Sequence, residues 1–237
     1  MKKQILCLYV SLLLVSCCLF LSVGCGDSPT PTTTTSTTGT STASTTSTSI
    51  VSTTTTTTSV TTTTNNDQAY FPNTNGYSWK KVIIGDPLYY ETSTFDGTVV
   101  ISPSITAQKL KQNTTYNGTD FFTGEVYYVV DSTGVYTYGT LNSPTTEATV
   151  VLSFPLTVGR TWTRSSYSYM TTEATIVSRE SVSVAAGTFD CYKIAYVNRY
   201  PDSSTSTDYF WYGLNAGQVK VTNDQTADEF NLNWKNF

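Results

Sequence analysis

Glu125-Val126-Tyr127-Tyr128-Val129-Val130, then Asp131-Ser132-Thr133-Gly134, then Val135-Tyr136-Thr137-Tyr138, is the stretch whose reading decides the fold. Two runs of β-branched and aromatic residues flank four residues that favour turns, which is the pattern of an antiparallel hairpin. The pattern recurs at Val182–Val184 and Phe189–Val197, joined by Ala185-Ala186-Gly187-Thr188. Gly187 there supplies the positive φ that such a turn often needs. Phe230, Leu232 and Trp234 alternate with Asn231 and Asn233, giving a last strand with one apolar face. Only Ile105 to Lys111 reads alternatively as a short helix. No convincing amphipathic helix stands elsewhere, so residues 67–237 are expected to form a single all-β domain. About 170 residues suffice for one sizeable core.

Phe71-Pro72, Gly76 and Trp79 follow an F-P-x-x-x-G-x-x-W spacing, and Phe154-Pro155, Gly159 and Trp162 repeat it 83 residues later. The same offset carries Gly134 to Gly217 and Tyr128 to Trp211. Phe-Pro starts an extended edge, Gly makes a turn, and Trp anchors the next strand. The register predicts two related halves, about 70–153 and 154–237.

Composition excludes several chemistries. The chain has no histidine and a formal charge of −4. Without the first 24 residues, eleven basic residues face seventeen acidic ones, a net charge of −6. Such a domain lacks the clustered Lys and Arg that phosphate neutralisation needs, so no nucleic-acid partner is expected. Without histidine there is no Ser-His-Asp or Cys-His constellation and no imidazole ligand, and neither a metal nor a cofactor is expected. Cys191 is the one cysteine beyond the N-terminal region and reads as a buried small hydrophobe, not a nucleophile. A carboxylate pair such as Glu173 with Glu180 or Asp208 is the remaining route to hydrolysis. Tyr127, Tyr136, Tyr138, Tyr167, Tyr169, Tyr209 and Trp211 place many rings on strands, where cross-strand packing is the simplest use for them.

Ser28 to Thr64 is almost entirely Thr and Ser, with Pro29 and Pro31 near its start. It holds too little apolar surface to offset its ordering entropy, so residues 25–66 are expected to be a disordered tether. As a flexible coil, Ser28 to Thr64 would average ~35 Å end to end. The Thr density allows O-glycosylation.

Ahead of the tether, Lys2 and Lys3 precede an uncharged apolar run from Ile5 to Val23. Leu21-Ser22-Val23-Gly24-Cys25 resembles a bacterial lipobox, with a small residue before the thiol that takes the diacylglyceryl group. Residues 1–24 then form a signal peptide cleaved after Gly24, and Cys25 is the lipid-attachment residue. Leu14-Val15-Ser16-Cys17 offers a second match. Ordinary cleavage and a retained helix also fit a run of this length. Asp27 is second after Cys25, not first, so the inner-membrane retention rule is not clearly met. The expected address is extracytoplasmic, in the cell envelope, lipid-anchored at the outer membrane or at a periplasmic or external face.

Phe154-Pro155-Leu156, Val158-Gly159 and Trp162, then Ala186-Gly187-Thr188-Phe189-Asp190-Cys191-Tyr192-Lys193-Ile194, then Trp211-Tyr212 with Gly217 and Val219-Lys220, follow one another in order. In these motifs the chain resembles a group of bacterial exported lipoproteins of unknown function, sometimes labelled TapB-like. The resemblance implies an antiparallel, strongly curved sheet or flattened barrel, and brings no catalytic residues. Ala185 and Leu214-Asn215-Ala216 depart from the pattern, both in turns. Three functions then compete. The first is a tethered binding or scaffold module for a lipid, glycan or protein ligand. The second is a lipid or lipoprotein carrier resembling the Lol system. The third is a carbohydrate-active hydrolase. The first is expected, with no enzymatic activity and with membrane lipid as the partner of the acylated N-terminus.

Overall fold

The computed structural model describes residues 66–140, 142–225 and 228–237. The signal, the tether, Cys17 and Cys25 lie outside the described residues. Asp67–Tyr70 forms a short 3-10 helix ahead of twelve strands. β1 spans Ser78–Ile83, β2 Asp86–Ser102, β3 Ile105–Tyr116, β4 Thr119–Val130, β5 Gly134–Thr140 and β6 Ser143–Ser153. After a linker, β7 spans Thr161–Tyr167, β8 Met170–Val184, β9 Gly187–Arg199, β10 Thr205–Gly213, β11 Gly217–Asn223 and β12 Glu229–Lys235.

The strand order is β6-β5-β4-β3-β2-β1-β12-β11-β10-β9-β8-β7, with every neighbouring pair antiparallel. Two six-stranded meanders thus meet through β1 and β12. The sheet curls until its edge strands, β6 and β7, are bridged by side chains. Trp162 Nε1 donates to the Val150 carbonyl at 3.3 Å, and Arg160 Nη2 to Ser153 Oγ at 2.9 Å. From β9, the buried Tyr196 hydroxyl donates to the Val151 carbonyl at 2.7 Å. The result is a nearly closed barrel whose seam is covered at its exposed edges.

Local chemistry accounts for the strands. In the opening stretch, Val130 pairs with Val135 and Val129 with Tyr136. Asp131 closes the turn by accepting from the Thr133 and Gly134 amides at 2.7 and 3.1 Å. The two Phe-Pro segments share their bonding. Gly76 N donates to Phe95 O at 2.8 Å and Phe95 N to Tyr77 O at 2.9 Å. Gly159 N donates to Ile176 O at 2.8 Å and Ile176 N to Arg160 O at 3.0 Å. Gly76 and Gly159 have φ of 86° and 89°, a region that side chains other than glycine's resist. The other two matches at this offset differ in geometry. Tyr128 points inward against Phe71, whereas Trp211 lies on the outer face. Gly217 has positive φ and Gly134 does not.

Two sequence expectations are corrected. Ile105 to Lys111 is part of β3, not a helix. Ala107 and Leu110 are both buried although three residues apart, on opposite faces of the strand. Trp234 is half-exposed, not in the core. The β1–β12 register shifts between Lys80 and Lys81, pairing Lys80 with Trp234 but Lys81 with Leu232, and so turns Trp234 outward.

Twelve strands enclose more room than the eight whose side chains alone fill a barrel. Here the N-terminal segment fills it. Phe71 enters between opposite walls, its ring 4.8 Å from Tyr128 on β4 and 6.5 Å from Tyr212 on β10. Asp67 Oδ2 accepts from the Leu156 amide at 3.0 Å, and Asn215 N donates to Ala69 O at 2.8 Å. Phe95, Leu110, Ile176, Ile194, Phe210 and Leu232 complete the core.

Candidate functional site

Inside the barrel, polar side chains stand among the aromatic ones. Lys81 on β1 pairs with Glu91 on β2 at 3.0 Å, both nearly inaccessible, and donates to Gln218 on β11. Ser93 Oγ donates to Glu91 at 3.1 Å. A second network lies on β8–β11. Asp208 accepts from Asn198 Nδ2 at 3.2 Å and from Asn223 Nδ2, and Thr172 Oγ1 donates to Asn198 Oδ1 at 2.8 Å. Burial pushes the Asp208 carboxyl up from its usual range, and the two Asn hydrogen bonds offset this only in part.

Two cavities adjoin these networks and share Lys81, Glu91, Phe210 and Gln218 in their walls. Their volumes are about 80 and 50 Å³. Each is smaller than the ~150 Å³ of an engineered apolar cavity that takes benzene. An acyl chain needs far more space and does not fit either one. Around these two cavities the interior is packed, with polar links between strands.

The carboxylates named from sequence do not converge. Glu173, on the outer face of β8, is paired with Arg199 at 3.1 Å, both more than half exposed. Glu180 accepts from Trp211 Nε1 at 2.6 Å and Ser178 Oγ at 3.0 Å, and the Trp211 bond holds it below the usual range. Asp208 faces inward, on the other side of the sheet. Cys191 is fully buried, and desolvation, followed by the Asp190 and Glu180 charges, pushes its thiol up to about 12. Among the described residues no group of three Cys, Asp or Glu is placed to hold a metal ion.

Most of the rings singled out from sequence line the outer face. Tyr136 and Tyr138 alternate with inward Val135 and Thr137, while Tyr209 and Trp211 stack beside Lys193 at 4.5 and 4.9 Å. Tyr167 and Tyr169 stack on each other at 5.4 Å, and the Tyr127 hydroxyl donates to Glu125.

Several large apolar side chains are exposed at one end of the barrel. The described chain starts at Asn66 beside the near end, where the Phe-Pro segments and the C-terminus lie. The connections β1–β2, β3–β4, β5–β6, β7–β8, β9–β10 and β11–β12 all turn at the far end. There Tyr89 packs against Tyr116, Phe121 and Phe230 at 6.5, 5.5 and 6.0 Å. At the same end Ile84, Leu88, Tyr116 and Phe121 remain 61, 50, 42 and 38% exposed. The backbone holds this rim together, with Asn117 N donating to Leu88 O at 3.0 Å and Ile84 N to Glu229 O at 2.9 Å. Sequence reading passed over this rim. Its signal was apolar residues next to turns that polar residues normally occupy, namely Ile84-Gly85-Asp86 and Gly118-Thr119-Asp120-Phe121.

No protein-family model matches the chain, and no characterised protein matches it in sequence. Two solved structures resemble it. A candidate lipoprotein from Parabacteroides distasonis has a TM-score of 0.50 at 18% identity, over 70% of this chain and 98% of that one. A candidate exported protein with a YmcC-like fold from Bacteroides fragilis has a TM-score of 0.48 at 16% identity, over the same shares of the two chains. The chain shares its fold with the Parabacteroides protein.

Proposed function

We propose that this protein is a lipid-anchored, extracytoplasmic binding module that holds its ligand on the outside of a filled barrel. Cleavage after Gly24 leaves Cys25 to carry the acyl chains. Residues 25–66 then act as a tether, and residues 67–237 form the head. The observation that carries this reading over a lipid carrier is the interior. Rings from opposite walls meet on Phe71, and the two cavities beside it are too small for an acyl chain. Against a hydrolase stands the separation of Glu173 and Glu180 from Asp208 by the sheet itself. The Parabacteroides distasonis neighbour, itself a candidate lipoprotein, supports the same address at the cell envelope.

The test is metabolic labelling with radioactive palmitate, in a bacterial host, of the wild type and the Cys25→Ser and Cys17→Ser variants. Label and membrane fractionation should be lost with Cys25→Ser and kept with Cys17→Ser. A Cys25→Ser protein that stays labelled would remove the anchor from the proposal.

A further inference from the structure

We propose that the far end of the barrel is a docking surface for a basic amphipathic segment of another protein, one that presents Lys or Arg beside apolar side chains. This rests on the reading of the head as an outside-binding module and names the chemistry of its partner. Two observations meet at the same place. One is the exposure of Ile84, Leu88, Tyr116 and Phe121 at the same end of the barrel, with Tyr116 and Phe121 packed on Tyr89. Exposed apolar patches of this kind, bordered by polar groups, mark interaction sites.

The other observation is charge. Asp86, Asp120, Asp202 and Asp224 lie in or beside the far-end connections, which contain no Lys or Arg. Of the cations beside this end, Arg199 is tied to Glu173, and Lys220 is paired with Glu229 at 2.7 Å. The near-end connections carry Arg160, and Lys235 lies by the C-terminus, against Asp67 and Asp131. Val158, Leu214 and Trp234 are also exposed toward the near end, so charge is what separates the two ends. Several of these acids also shape their own turns. Asp86 accepts from Leu88 N at 3.2 Å, and Asp202 from Ser204 N at 2.9 Å. Asn serves such turns equally well, as Asn223 does in accepting from Gln225 N at 2.8 Å, so turn geometry alone does not require four negative charges. Repulsion among them is relieved when a cationic partner arrives, and their summed field draws one in. Aromatic faces beside carboxylates add cation–π attraction for the same side chains.

The test uses the full chain in detergent micelles and two fluorescent amphipathic peptides of equal length, one of Lys, Leu and Trp and one of Glu, Leu and Trp. Anisotropy should report binding of the basic peptide only, weakened at least about tenfold between 50 mM and 500 mM salt. Asp86→Asn, Asp120→Asn and Asp202→Asn combined should weaken it roughly tenfold, since each exposed pair is worth a factor of about two to three. The circular dichroism melt should stay unchanged. Leu88→Ser with Phe121→Ser should weaken binding without altering its salt slope. Equal binding of the acidic peptide, indifference to the triple variant, or preferential binding to phosphatidylcholine vesicles would overturn the proposal. These outcomes leave palmitate labelling at Cys25 untouched, so the two readings fail separately.

Discussion

Replacing Lys81 with Met removes one charge from the barrel interior while keeping most of the side chain's volume. At 3.0 Å and an effective dielectric near 20, the Lys81–Glu91 attraction is about 5–6 kcal/mol. Desolvating both ions offsets most of this, so the intact pair contributes little net stability. Breaking it is another matter. Glu91 would keep Ser93 as a donor but lose its counter-ion, and Gln218 would lose the Lys81 ammonium. A buried charge left this way costs about 3–5 kcal/mol, a large share of the ~5–15 kcal/mol that holds an ordinary domain folded. Lys81→Met with Glu91→Leu should recover at least half of that loss, giving a coupling energy above ~2 kcal/mol. Equilibrium urea unfolding followed by tryptophan fluorescence measures both, because all four tryptophans lie in the head. If Lys81→Met costs less than ~1 kcal/mol and the double variant is no better, the pair is wet and the interior is not the packed core described here.

Two other perturbations probe the same interior. Asp208 has a carboxyl raised above its unfolded value of 3.8 by burial, so the folded state holds its proton more tightly. Wild-type stability should therefore fall as pH rises through the raised value, and Asp208→Asn should be spared that loss. The stability difference should move toward the variant between about pH 3 and neutrality in urea titrations, and a pH-independent difference would refute the burial argument. Thr114 on β3 is fully buried, and its hydroxyl finds no hydrogen-bond partner among the described residues. Thr114→Val should leave stability unchanged or raise it by ~1 kcal/mol, whereas a loss larger than that would mean the hydroxyl is bonded.

Much of the β architecture was legible along the chain because its signals are local. The turn at Asp131–Gly134 is closed by its own side chain, and Gly76 and Gly159 sit at positive φ whatever lies across the barrel. The interior charges were not legible in this way. Lys81 and Glu91 fall in alternating strands where a solvent-facing reading is the ordinary one, and only the closing of the sheet puts them inside. Asp208 was considered beside Glu173 and Glu180, yet alternation along β8 and β10 sends it to the opposite face.

By itself the sequence determined that the head is built of antiparallel strands, that imidazole chemistry is absent, and that one thiol alone falls in the head. These follow from residue type and period-two alternation, which act over a few residues. Tertiary structure decided which face of each strand is covered. A register shift opposite Lys80 and Lys81 turned Trp234 outward, and Phe71 reached across from β4 to β10 to fill the barrel. It also brought Ile84, Leu88, Tyr116 and Phe121 to the same end of the barrel as Asp86, Asp120, Asp202 and Asp224. Burial and proximity of this kind depend on partners distant in the chain, and alternation along a single strand carries no information about them.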